Sequence, residues 1–202
     1  MRTSDFDYQL PENLIAQVPL VCRDTSRLLI LDSKTGQIEH ATFKDLPSYL
    51  SSDDLIVVND SRVIPARIFA NPLGSCSKVE LLLLRREEPF IWQAIGRPGR
   101  QLKLRKTFKV MNAEVHFEVI EIRNDNTRLV KFSSEQGMDI WGHVPLPPYI
   151  RQKLSDKERY QTVYSSQLGS AAAPTAGLHF TTELLNRLGA KGVNVANITL
   201  HV

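Results

Sequence analysis

The sequence predicts an α/β domain interrupted by an inserted small β-barrel. Three observations carry this. Leu55 to Val58 is a short continuous apolar run of the kind a buried strand shows. Six strand-like segments follow one another between Val63 and about Val144 with no convincing helix among them. Helix and strand patterns stand on both sides of that block. The expected division puts residues 1–62 and 147–202 in the α/β domain and 63–146 in the barrel.

Pro11 suits the first turn of a short helix through Ala16, which Pro19 closes. Arg27–Asp32 and Gln37–Phe43 read as a hairpin over the turn Ser33-Lys34-Thr35-Gly36. One helical turn is expected over Asp45–Leu50. The run Leu55–Val58 leads directly into Asn59-Asp60-Ser61-Arg62, where polar residues end a buried strand. Such a place suits a ligand site in an α/β sheet and equally a turn with an Asx bond, and both readings stay open.

The barrel segments are VIPARIFA, KVELLLLRR, FIWQAIG, QLKLRKTFKV, EVHFEVIEIR and TRLVKFS, alternating or β-branched and separated by Gly, Pro, Asn or acidic breaks. Within them Arg97, Arg100, Lys103, Arg105, Lys106 and Lys109 form a basic strip, with Leu102, Leu104, Phe108 and Val110 expected to face inward. The strip reads as a solvated face or as a phosphate-binding surface. Pro145-Leu146-Pro147-Pro148 is a stiff connector that marks a domain boundary.

Ser155 followed by Glu158 is a capping-box pattern, so a helix is expected from Asp156 until Gly169. The small residues Ala171-Ala172-Ala173-Pro174-Thr175-Ala176-Gly177 then let a backbone or flat ligand approach closely. Thr181 or Thr182 can cap a second helix, Glu183–Leu188, which holds His179 just before a helix start. Gly189 and Gly192 bracket a turn. Val193–Val202 alternates, with Ile198, Leu200 and Val202 on one face and Asn197, Thr199 and His201 on the other.

With 202 residues, 42% of them hydrophobic, the chain can bury a sizeable core. A net charge of +3 argues neither for nor against nucleic acid. Cys22 and Cys76 are too few and too distant for a disulfide framework, and no HExxH or i,i+4 histidine pair supports a metal site. Neither GxGxxG nor GxxxxGK[ST] is present. With no leader-like N-terminus and no run near the ~18 apolar residues of a membrane span, a cytoplasmic protein is expected.

ERYQTVY with GSAAAPTAGLHFT, together with NDSRVIPAR, PLPPYIR and DFDYQLPENLIAQ, resembles the S-adenosylmethionine:tRNA ribosyltransferase-isomerase family of queuosine biosynthesis across essentially the whole chain. The resemblance implies an α/β domain with an inserted barrel, a monomer at full family length, and S-adenosylmethionine (AdoMet) consumed as a substrate without metal or redox cofactor. Its ribosyl portion is transferred and isomerised onto 7-aminomethyl-7-deazaguanine at the wobble position of tRNA. The product is epoxyqueuosine, and adenine and methionine are released. The sulfonium acidifies the ribose C5′ protons, so a general base is required, and departing adenine benefits from a proton donor.

His179 is the best-placed candidate base, with Glu158 and Tyr160 as further catalytic candidates. As a lone histidine between apolar neighbours, His179 also reads as a packed residue. Asn59, Asp60, Arg62, Arg67, Arg159, Gln161, Pro174, Thr175 and Gly177 are candidates for substrate binding, and Arg97, Arg100, Lys103 and Arg105 for tRNA. A salt-bridge network between domains would use the same residue types as the first group. The family continues past TLHV into a glycine-containing turn and a long further α/β segment. An incomplete sheet and weak or absent turnover are therefore expected of these 202 residues. The alternatives are an AdoMet- or tRNA-binding module without turnover, or a structural half supplied to another chain.

Overall fold

The computed structural model describes residues 2–201. After 3-10 turns at Thr3–Phe6, Glu12–Leu14 and Arg23–Thr25, strands β1 (Arg27–Leu31) and β2 (Ile38–Thr42) form the expected antiparallel hairpin. Asp32 builds the turn: its carboxylate accepts the amides of Thr35 and Lys34, which hold its pKa below the usual carboxylate range. A 3-10 segment, Phe43–Tyr49, then starts on a Thr42/Asp45 capping box.

Strand β3 (Leu55–Asn59) and β4 (Ser61–Val63) precede the barrel, and their partners come from beyond it. β3 pairs in parallel with the last strand, Asn194–Ile198, and β4 with Gln167–Ser170. β3 is not the fully buried strand expected. Val58 is buried, but Leu55 is 59% and Val57 54% exposed, because only the face carrying Ile56 is covered, by the cluster of Phe180, Leu184, Leu188 and Val193.

Between these halves, β5 (Arg67–Pro72), β6 (Val79–Glu88), β7 (Ile91–Arg97), β8 (Thr107–Val110), β9 (His116–Ile122) and β10 (Arg128–Phe132) close into a six-stranded barrel in the order β10-β7-β6-β5-β8-β9. Closure follows from alternation: Ile68 and Ala70 on β5, Val79, Leu81 and Leu83 on β6, and Phe117 and Val119 on β9 all point inward and are buried. Phe108 and Phe117 stack at 4.9 Å in the core. Each such aliphatic or aromatic side chain contributes on the order of 1.5–3 kcal/mol by leaving water. The segment read as one strand over Gln101–Val110 is instead a 3-10 turn at Gly99–Gln101, a loop, and then β8. Leu102 is fully buried as expected, but Leu104 is 53% exposed because it lies in that loop, where no alternation is imposed.

A single helical turn, α1 (Met138–Trp141), seals the barrel with the buried Trp141. The helix expected over Asp156–Gly169 is absent. A 3-10 turn, Lys157–Tyr160, is capped by Asp156 rather than Ser155 and ends at Gln161, whose backbone is extended. The segment has no apolar stripe to pack as a helix; Tyr160 and Gln161 are buried individually, and Gln167–Ser170 forms β11 against β4. Gly169 sits inside that strand at φ +144°, where a Cβ would meet the His201 ring at 2.9 Å. The second helix forms as α2 (Thr182–Ala190), with the Thr181 hydroxyl accepting from the Leu184 amide at 3.1 Å. Gly189 lies within α2, not in a turn. β12 (Asn194–Ile198) is shorter than the alternation suggested, leaving Leu200 exposed in an extended tail; Val202 lies outside the described residues.

Candidate active site

A cavity of about 700 Å³ opens where the N-terminal segment faces the central stretch. Its walls come from three places in the sequence: Ala16–Val21 with Arg23 and Ser26, the connector residues Leu146–Asp156, and the turns carrying Arg159, Tyr160, Thr175, Leu178 and His179. Gln17 fixes the first wall to the second, donating to the Tyr149 carbonyl at 2.9 Å and accepting the Arg151 amide at 2.8 Å. Arg151 also pairs with Glu12 at 2.9 Å.

His179 ends the 3-10 turn Thr175–His179, two residues before the cap of α2. Its half-buried ring lies 5.3 Å from the Phe43 ring, and neither nitrogen has a hydrogen-bond partner among the described residues. Such a nitrogen is free to form a hydrogen bond with a ligand in the cavity. Tyr160 is buried beside Val63 and Ala173; burial pushes its phenol pKa up, against a hydrogen bond from the Ala173 main chain. It therefore remains a neutral O–H donor at neutral pH. Arg159 reaches the Leu20 carbonyl across the cavity wall.

Asn59, Asp60, Arg62, Glu158 and Gln161 form a second cluster, around the end of β3 and along β4, outside the cavity lining. Asn59 clamps Leu200, donating to its carbonyl at 2.9 Å and accepting its amide at 3.1 Å. The buried Asp60 accepts from Thr199 at 2.7 Å and Ser166 at 3.2 Å. Arg62 pairs with Glu158 and donates to Ser165 at 3.0 Å. Glu158 is largely exposed there, so the pair contributes no more than ~1 kcal/mol. Gln161 is wholly engaged with the backbone: its carbonyl accepts the Val63 amide at 3.0 Å and its amide donates to the Val63 carbonyl at 2.9 Å. Arg67 lies on the barrel, paired with Glu80 at 3.0 Å and donating to Leu146 at 3.0 Å. Arg97, Arg100, Lys103 and Arg105 are exposed on the barrel, with no ion pair among the described residues.

Pro174 caps the 3-10 turn of the small-residue run, and what packs closely on that run is a side chain. A Cβ on Gly177 would stand 2.0 Å from the Tyr164 hydroxyl and 3.1 Å from Thr162. Gly177→Ala is accordingly expected to cost ~1–3 kcal/mol by overpacking, read as a lower urea midpoint with an unchanged slope.

Sequence reasoning missed Arg23. Its guanidinium donates to the carbonyls of Gln161 at 2.6 Å, Glu158 at 2.8 Å and Leu178 at 3.3 Å, tying together the two turns that carry Tyr160 and His179. Burial, then the neighbouring Arg159, lower its pKa, and Asp156 and Glu158 partly offset them. No motif surrounds Arg23, and a cation bound to three carbonyls leaves no pattern in sequence. Among the described residues no group of three or more His, Cys, Asp or Glu could hold a metal ion, and no helix is long and apolar enough to cross a membrane.

The family model for queuosine biosynthesis proteins matches residues 3–202. The chain belongs to this family. Over its whole length it is 49% identical to the S-adenosylmethionine:tRNA ribosyltransferase-isomerase of Clostridioides difficile and 51% identical to that of Acetivibrio thermocellus. It spans 60% of the length of each. Among solved structures it is similar to the S-adenosylmethionine tRNA ribosyltransferase of Thermotoga maritima, with 35% identity over 98% of this chain and 58% of that one, at a TM-score of 0.41. The queuosine-family membership covers both halves of the α/β portion and the barrel between them.

Proposed function

We propose that this chain carries the AdoMet-binding half of an S-adenosylmethionine:tRNA ribosyltransferase-isomerase, with residues 63–146 as an inserted barrel unit. One observation carries the reading: in a queuosine-family chain, His179, Tyr160, Thr175 and Arg159 converge on a cavity of about 700 Å³. That volume suits a nucleoside-sized ligand, for which sites of ~300–1,000 Å³ are usual.

In this reading AdoMet is consumed as a substrate. His179 accepts the C5′ proton acidified by the sulfonium, Tyr160 donates from its neutral phenol to departing adenine or a ribose oxygen, and Arg159 meets a carboxylate or phosphate. Asn59, Asp60, Arg62, Glu158 and Gln161 hold the strand ends and turns behind the cavity, and Arg97, Arg100, Lys103 and Arg105 contact tRNA phosphates. The RNA-modifying role is cytoplasmic.

Incubating a form of the protein extended to the length of its relatives with AdoMet and tRNA carrying 7-aminomethyl-7-deazaguanine is expected to release adenine in proportion to epoxyqueuosine formed, with much weaker or no release from these 202 residues alone. Production of S-adenosylhomocysteine would mean methyl transfer and overturn the reading. Binding of AdoMet or tRNA with no adenine released by the extended form would assign the chain as a binding module.

A further inference from the structure

Cations outside the basic strip collect on a neighbouring part of the surface. On the outer face of the barrel, Arg67 and Phe69 of β5 stand beside Glu80 of β6, with exposed Lys78 just ahead of that strand. Glu80 also lies opposite Arg97 on β7. Lys78 Nζ sits 3.8 Å from the centre of the Phe69 ring, and the exposed His143 packs against the same ring at 5.1 Å. His143 is locked there by paired backbone hydrogen bonds with Arg67 at 2.9 and 3.0 Å. Partial burial, followed by the charges of Lys157, Lys78, Lys153 and Arg67, lowers the His143 pKa. Glu80 is a carboxylate on this face and is engaged by Arg67, while the exposed Asp139 and Asp156 adjoin Lys157. Lys157 is anchored on the Asp139 carbonyl, and Lys153 lines the cavity.

A line of cations beside an exposed imidazole, ending at a residue of the cavity wall, is a combination that binds an RNA strand: charges for phosphates and the His143 ring for a base. We propose that the RNA substrate runs along this track, from Lys78 past Phe69 and His143 to Lys157 and Lys153, and so delivers its reacting nucleotide to the cavity. The inference rests on the reading of the chain as tRNA-modifying and adds the path the RNA takes.

The test is tRNA binding by the 202-residue chain across a salt series, for the wild type, for Lys78→Gln/Lys153→Gln/Lys157→Gln, and for Arg100→Ala/Lys103→Ala/Arg105→Ala. At about 0.7 per neutralised phosphate, the lysine variant is expected to lower the slope of log affinity against log salt by about 2 and to weaken binding at least about tenfold. Each single lysine substitution gives about a third of the slope change, which guards against a triple variant that folds poorly. If the folded lysine variants keep the wild-type affinity and slope, the track is overturned and the tRNA reading stands. Loss confined to the Arg100/Lys103/Arg105 variant places the RNA on the strip and also overturns the track. A wild-type chain that binds no tRNA overturns both the track and the tRNA reading.

Discussion

His179→Asn is expected to lower adenine release from AdoMet by ~10²–10⁴-fold with AdoMet affinity little changed, measured in a form of the protein that turns over. Asparagine keeps a hydrogen-bonding group in the cavity wall but cannot take a proton. The imidazole nitrogens have no partner among the described residues, so no internal network needs them and a bound ribose can use them. The competing role is packing, since the ring lies 5.3 Å from Phe43 beside the cluster of Phe180 and Leu184. Packing predicts a lower melting temperature with normal turnover in the folded fraction. Measuring both on one variant separates the roles. Full turnover in folded His179→Asn would remove His179 from the mechanism.

Gln161→Ala should produce the largest loss of stability among the site residues. The substitution leaves the Val63 N–H and C=O without partners in a buried position, since both are bonded by the one side chain. Each orphaned group costs ~1–3 kcal/mol, so the pair costs ~2–6 kcal/mol, or a fall in melting temperature of roughly 4–24 °C at about 2–4 °C per kcal/mol. Gln161→Glu keeps the shape and the acceptor but sets a carboxylate against the Val63 carbonyl, so it should also destabilise. Glu158→Gln, on an exposed ion pair, should change stability by no more than ~1 kcal/mol. A Gln161→Ala protein melting with the wild type would show that water replaces the amide without loss.

The parts of the fold governed by period two were legible. The first hairpin, the Thr181-capped helix and a strand within each of the six barrel segments appear, although the first barrel segment is broken between Val63 and Arg67 and the fourth is a strand only from Thr107. The region from Ser155 to Gly169 was misread, because a capping pattern specifies only how a helix can begin. Whether it continues depends on an apolar stripe, and here Gln161 turns to the Val63 backbone. The site divided in the same way. His179, Tyr160, Thr175 and Arg159 share a cavity, whereas Asn59, Asp60, Arg62, Glu158 and Gln161 stabilise strand ends nearby. Sequence shows that polar residues crowd into one stretch; which of them have side chains left unoccupied by the backbone is decided by tertiary pairing. Arg23 makes the same point from the other end of the chain, since its three acceptors are main-chain carbonyls that no composition reveals.

The parallel pairings on either side of the barrel bear on the order of assembly. Ser61 pairs with Gln167, so an open chain must close a loop of roughly a hundred residues before β4 and β11 meet. The barrel is built from antiparallel neighbours much closer in sequence, and the bridge between Arg67 and His143 joins its two ends. Once that bridge exists, the free chain between Ser61 and Gln167 is roughly thirty residues, and the closure entropy falls by about 1 kcal/mol. A barrel that folds before these parallel pairs would act as an internal clamp, bringing together the two lengths of backbone that β3, β4, β11 and β12 need. A lesion deep in the barrel would then slow the pairing of β3 with β12 and of β4 with β11 even where it left the finished cavity unchanged.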